Sequence, residues 1–327
     1  MLKYVIIFTT ALTFSVIFTF LLEKLSLKFK LLKAGDVPLV GGLGIGLAFI
    51  LSLSLGACMF NLAMARILAV AGVCLLMLIL GVIDDLRELS VIQKLLTQSL
   101  CAGLLIFSGI KTEIIYFGFW GNAAITFFWI LSITNAFNLL DIMDGLAAGI
   151  SLIVGSAFLL IGFWNADLNA QVLSLILCAL STGFLIFNLP PARVYLGNAG
   201  SHFFGLFIAS VALITHYASV ENAFALFSPL MILGLPIIDT TLLIIFRVIK
   251  RRFPFSKSRD HLALKIGAMG FSPLETIMIM YLLGAVFAGC GIVLMRVNNL
   301  FAAIITFSVF LFSIGIFLRL IKIEVKG

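Results

Sequence analysis

Residues 64–85 read MARILAVAGVCLLMLILGVIDD, an apolar run long enough to cross a bilayer that closes on two adjacent carboxylates, Asp84 and Asp85. Similar apolar segments fall near 3–22, 40–60, 94–110, 121–139, 145–164, 170–188, 200–218, 224–246, 275–295 and 299–318. With 64–83 these make eleven spans. Segment 94–110 is short and the joins at Gly145 and Gly200 are tight, so ten is the alternative count. Composition agrees: 63% of the 327 residues are hydrophobic and 11% charged, with a mean hydropathy of +1.26, far from the balance of a soluble domain. The expected fold is all-α, a polytopic membrane bundle of about 11 transmembrane helices, with residues 1–327 forming one integral membrane domain.

The net charge of +7 is unevenly placed. With the N-terminus outside and the C-terminus cytosolic, 17 of the 21 Lys and Arg lie in inner loops or the inner tail, as the positive-inside rule requires. The run from Arg247 to Lys265 is denser than orientation needs, and suits anionic lipid headgroups or a nucleotide diphosphate as well as topology alone. The first apolar run is too long for the core of a cleaved signal, which favours a retained first span. Cys58, Cys74, Cys101, Cys178 and Cys290 sit in apolar runs without metal-binding spacing and read as packing residues. No nucleic-acid partner is expected.

The polar residues cluster in loops that the charge bias assigns to the cytosol. Asp84 and Asp85 repel each other and need a metal ion, a cation or a proton to compensate them; the plainer alternative is a solvated helix end with Arg87 as partner. Asn135, Asn138, Asp141 and Asp144 recur every three residues before Gly145, a spacing that forms one ridge on a helix. Capping explains one or two of them but not four. Next comes Asn188-Leu189-Pro190-Pro191-Ala192-Arg193, then Gly197-Asn198-Ala199-Gly200-Ser201: two prolines stop a helix, and a glycine-rich turn opens another, either as a phosphate site or as an ordinary re-entry turn. Asp239, about two turns inside a span, needs a polar companion, which the last inner loop with Arg259, Asp260 and His261 could supply. Carboxylates with amides suit Mg²⁺, and guanidinium groups suit phosphate.

These motifs, in this order, resemble the polyprenyl-phosphate N-acetylhexosamine-1-phosphate transferases, bacterial undecaprenyl-phosphate GlcNAc-1-phosphate transferases of glycosyltransferase family 4 among them. Asp36 to Gly42 resembles that family's Pro-Leu-Val-Gly-Gly segment, Asp84-Asp85 its Asp-Asp motif, and Asn135 to Gly145 its Asn-x-x-Asn-x-x-Asp-x-x-Asp-Gly motif. Residues 188–201 and 254–273 resemble its Pro-Pro and histidine loops. The resemblance implies transfer of a sugar-1-phosphate from a UDP-N-acetylhexosamine, with GlcNAc as the expected sugar, to undecaprenyl phosphate. UMP leaves and a lipid-linked cell-envelope glycan begins. It implies catalytic roles for Asp84, Asp85 and Asp144, substrate contacts from Asn135, Asn138, Arg193, Arg259 and His261, and metal ligation by Asn138, Asp141 and Asn198. The implied cofactor is Mg²⁺, with Mn²⁺ as an alternative; the implied place is the inner membrane with the site facing the cytosol, and a homodimer is an allowed assembly.

The chain departs from the pattern where Asn198 replaces an aspartate, where Ala263 and Leu264 replace two histidines, and where Ile142 replaces a glycine. These departures keep two other readings open: a catalytically inert relative that binds polyprenyl phosphate, and an enzyme resembling the phospho-MurNAc-pentapeptide transferases. A transporter would place its polar residues near mid-bilayer rather than at one face.

Overall fold

In a computed structural model, described for residues 1–60, 62–217, 223–251 and 260–323, the chain is an all-α membrane protein. Among the described residues nine helices are long and apolar enough to span a membrane. A tenth candidate is a pair, Phe224–Ile232 and Gly234–Ile249, bent by 73°. The helix Val91–Phe107, at 17 residues, is about 26 Å long, at the lower end of what a crossing needs.

The chain divides into two compact units, Met1–His216 and Tyr217–Gly327. The first contains α1 (Leu2–Phe29), α2 (Gly41–Met59), α3 (Met64–Leu86), α4 (Val91–Phe107), α5 (Gly118–Leu140), α6 (Leu146–Trp164), α7 (Leu168–Asn188) and α8 (Gly197–Ile214). A two-residue antiparallel ladder, Lys33–Ala34 on Val37–Pro38, ties the loop after α1. The second unit contains α9 (Ser228–Ile232), α10 (Gly234–Ile249), α11 (Leu262–Gly267), α12 (Pro273–Leu294) and α13 (Asn299–Leu320).

Within the first unit α8 is the central element. Phe203, Phe204, Phe207 and Ile208 on it are fully buried, and α3, α5, α2 and α6 all pack against it. Close packing at its start depends on glycine: a Cβ on Gly81 of α3 would lie 2.3 Å from the Ala199 Cα, so only a bare backbone lets the last turns of α3 touch the first turn of α8.

The bent pair departs from the single span expected at 224–246. Pro236 lies in the first turn of α10 and has no N–H to bond back along the chain, so a helix running through Leu233 would lose that bond and clash with the ring.

Candidate active site

The ends of α3, α5 and α8 converge on a group of carboxylates and amides. Asp85 closes α3 and receives the backbone N–H of Asn198 on Oδ1 at 2.8 Å and that of Ala199 on Oδ2 at 3.0 Å. These are donors that an α-helix leaves unpaired at its start, and the carboxylate also complements the positive end of the α8 dipole. Gly197 makes the contact feasible, since its φ is +72° and a Cβ there would sit 2.7 Å from Asp85 Oδ2. The α8 N-terminus, open in the sequence between a phosphate site and an ordinary re-entry turn, is occupied by a carboxylate of the chain itself.

Asp84, one residue earlier, faces a different partner. Its buried carboxylate receives the Leu89 N–H at 2.7 Å and pairs with Lys94 Nζ at 2.6 Å. The cation opposite Asp84 is thus Lys94, not Arg87. The capping box of Ser90 and Gln93 starts α4 immediately after the turn, and this brings Lys94 back over the end of α3.

The expected ridge of four polar residues divides at the end of α5. Asn135 and Asn138 are helical, Asp141 is the C-cap at φ −79° and ψ 56°, and Asp144 lies in the turn before α6. Gly145, at φ +78°, closes that turn. Asn138 Nδ2 donates to Asn198 Oδ1 and to Ser201 Oγ, both at 3.0 Å. Asn135 is committed elsewhere, donating to Gln98 Oε1 at 2.7 Å and to the Leu131 carbonyl at 2.7 Å, so it joins α4 to α5. Asp144 Oδ2 receives the Ala192 N–H at 2.9 Å. Asn188 clamps the same loop, accepting from Gly145 N and donating to the Val194 carbonyl, each at 2.9 Å.

Asp141 has no hydrogen-bond donor among the described residues. Burial pushes its carboxyl up to about 7, and the nearby charges of Asp85 and then Asp144 push the same way. Among the described residues no three His, Cys, Asp or Glu side chains close into a ready metal cage. A hard divalent cation held by one or two carboxylates and completed by substrate phosphates does not need one. The donor set fits such an ion: Asp141, with Asp85 beside it, offers oxygen ligands of high charge density and one undischarged carboxylate. Asn198, with Oδ1 on Asn138 and its side chain beside Asp85, bridges the two groups already.

Arg193 forms a two-pronged pair with the buried Glu23, at 2.9 and 3.0 Å. That partner, 170 residues away, left no signal in the sequence. His261 belongs to the second unit, where its Nδ1 lies 3.1 Å from Asp239 Oδ2 while Leu262 N donates to Asp239 Oδ1 at 2.6 Å. Asp239 therefore takes its companion from the last inner loop, as its position within a span demands. Lys265 is buried, lies 3.7 Å from Asp260 and donates to the carbonyls of Leu320 and Ile323. Arg259 lies outside the described residues.

The site is thus a set of polar groups at helix ends: paired carboxylates, an aspartate without a hydrogen-bond donor among the described residues, amides and a lysine. Residues 67–216, which span all of it from α3 to α8, match the model described as Glycosyl transferase family 4. The chain belongs to glycosyl transferase family 4. It is 33% identical over 270 residues to the probable undecaprenyl-phosphate N-acetylglucosaminyl 1-phosphate transferase of Bacillus subtilis (strain 168), covering 80% of this chain and 74% of that protein. It is 28% identical over 281 residues to the decaprenyl-phosphate N-acetylglucosaminephosphotransferase of Mycolicibacterium smegmatis, covering 75% and 68% respectively. Over 183 residues it is 30% identical to the undecaprenyl-phosphate alpha-N-acetylglucosaminyl 1-phosphate transferase of Thermotoga maritima, with 56% of each chain covered.

Proposed function

We propose that the protein transfers N-acetylglucosamine-1-phosphate from a UDP-sugar to undecaprenyl phosphate, releasing UMP and starting a lipid-linked cell-envelope glycan. The names of its relatives support the reaction. The observation that carries it for this chain is the convergence of Asp84, Asp85, Asn138, Asp141 and Asn198 at the ends of three spans. In this reading Asp141 and Asp85 would hold Mg²⁺, or Mn²⁺ in its place, and a bound ion would supply charge neutralisation for the phosphoanhydride. Asp84 and Lys94 present one negative and one positive group to the lipid phosphate, and Asp144 fixes the loop that carries Arg193.

The whole chain acts as one transferase domain in the inner membrane, with the N-terminus outside, the C-terminus inside and the site open to the cytosol. The charge bias supports that orientation. Arg193, Arg259 and His261 serve the donor or the lipid head. The direct test incubates purified protein with radiolabelled UDP-N-acetylglucosamine, Mg²⁺ and undecaprenyl phosphate, then extracts lipid. Label in the organic phase that disappears on omission of the polyprenyl phosphate supports the reading. No lipid-linked label, with both substrates bound, would identify an inert relative instead.

A further inference from the structure

His202 lies on α8 and is fully buried, with Asn138 beside its ring and Asp84 and Lys94 nearby. Its Nδ1 stands 2.9 Å from the Asn198 carbonyl. A carbonyl only accepts, so Nδ1 must carry the hydrogen. The other neighbour agrees: Asn138 Nδ2, 3.5 Å from Nδ1, has both hydrogens directed at Asn198 Oδ1 and Ser201 Oγ. With the hydrogen on Nδ1, Nε2 presents a bare lone pair, and that atom is buried without a partner. An unsatisfied buried acceptor costs about 1–3 kcal/mol, which an apolar side chain at this place would avoid. The Nδ1 bond is what a histidine adds here.

The carbonyl it holds belongs to the peptide unit between Asn198 and Ala199, and the N–H of that same rigid plane donates to Asp85 Oδ2 at 3.0 Å. The chain of contacts runs from the His202 N–H through one peptide group to the Asp85 carboxylate. Hydrogen bonds in series polarise one another, and the plane cannot rotate without losing one end.

We infer that His202 is a positioning residue for the transfer reaction, fixing and polarising the 198–199 peptide that orients Asp85. It touches neither substrate. The inference rests on the transferase reading above, and sets an order on two substitutions. In His202→Asn the amide nitrogen stands where Nδ1 stands relative to Cβ and can donate to the same carbonyl. His202→Leu fills the space but donates nothing.

The test measures kcat and KM for UDP-N-acetylglucosamine and for undecaprenyl phosphate, with thermal unfolding of each variant. His202→Leu should lower kcat about 10- to 100-fold, the range that misplacement of a reacting group produces, with both KM values within about threefold and no loss of thermal stability. His202→Asn should keep kcat within about fivefold of the parent. A filler histidine gives the opposite order, with His202→Leu as active as the parent and His202→Asn the less stable protein, and that result overturns the inference. A second readout does not depend on turnover: in ¹⁵N-histidine spectra the resonance lost in His202→Asn should be that of a neutral ring protonated at Nδ1. A ring protonated at Nε2 overturns the inference whatever the kinetics. A parent protein that makes no product overturns the transferase reading and the inference with it, whereas an active parent with a ring protonated at Nε2 overturns the inference alone.

Discussion

Asp84 and Asp85 are neighbours in sequence, yet one faces a lysine and the other a helix N-terminus, so replacing each tests a different restraint. Asp85→Asn sets an amide N–H₂ against the N–H groups of Asn198 and Ala199; Asp84→Asn leaves Lys94 without its counter-charge. Each should lower turnover at least about 100-fold, the usual loss when one preorganised charge or donor leaves a reacting centre, while the protein still elutes as a folded species. Near-parental turnover in both would make these carboxylates structural. Asp141 behaves differently because its carboxyl is raised to about 7 from 3.8. A raised carboxyl stabilises the fold fully below the unfolded value and loses that contribution as pH climbs through the folded one. In EDTA, therefore, the parent should lose stability relative to Asp141→Asn between about pH 4 and 7, on the order of 3 kcal/mol, and level off above. Thermal melts of both proteins across that range check this, and parallel curves would mean that the Asp141 carboxyl is not raised. These residues were legible because carboxylates and amides at the ends of apolar runs are expensive to place there. Lys94, Glu23 and Gln98 were not: each acts through a partner on another part of the fold, and nothing in the spacing along the chain marks it. His202 left a faint signal, an ionisable residue inside an apolar stretch.

At the scale of elements, the site exists because α3 and α8 touch at their ends. Gly81→Ala would put a methyl 2.3 Å from the Ala199 Cα, a backbone atom that cannot turn aside, so the two helix ends must separate. The expected outcome is a folded protein whose activity falls as far as that of Asp85→Asn, because the Asp85 contact depends on that approach. A Gly81→Ala protein with parental activity would show that the α3–α8 contact does not hold Asp85. The apolar runs made most helices readable, since about 20 apolar residues have few other fates. Two elements escaped. The three-residue period at Asn135 to Asp144 looked helical throughout, but α5 ends at Leu140 and Asp141 turns away, so the period continues across a turn in which Gly145 takes a positive φ. The bend in segment 224–246 was signalled by Pro229, Gly234 and Pro236, though hydropathy alone averages over it.

At the scale of the molecule, orientation is a matter of charge, and it decides whether the carboxylates can meet a nucleotide-sugar at all. A donor of that kind carries a diphosphate that does not cross lipid, so the proposed transferase reaction requires Asp84 and Asp85 to open on the side that holds most of the Lys and Arg. Moving a basic loop across the membrane is strongly disfavoured, and 17 of 21 basic residues agree on one side. Single cysteines at Lys30, Arg87, Arg251 and Arg296, all exposed, can be placed in a chain whose own cysteines at 58, 74, 101, 178 and 290 have been replaced. In intact cells an impermeant thiol reagent should label only the cysteine at position 296; after permeabilisation the other three should react as well. Labelling at position 87 from outside would set the Asp84–Asp85 end of α3 on the face where no UDP-sugar is available, and the transferase reading would then fail together with the topology.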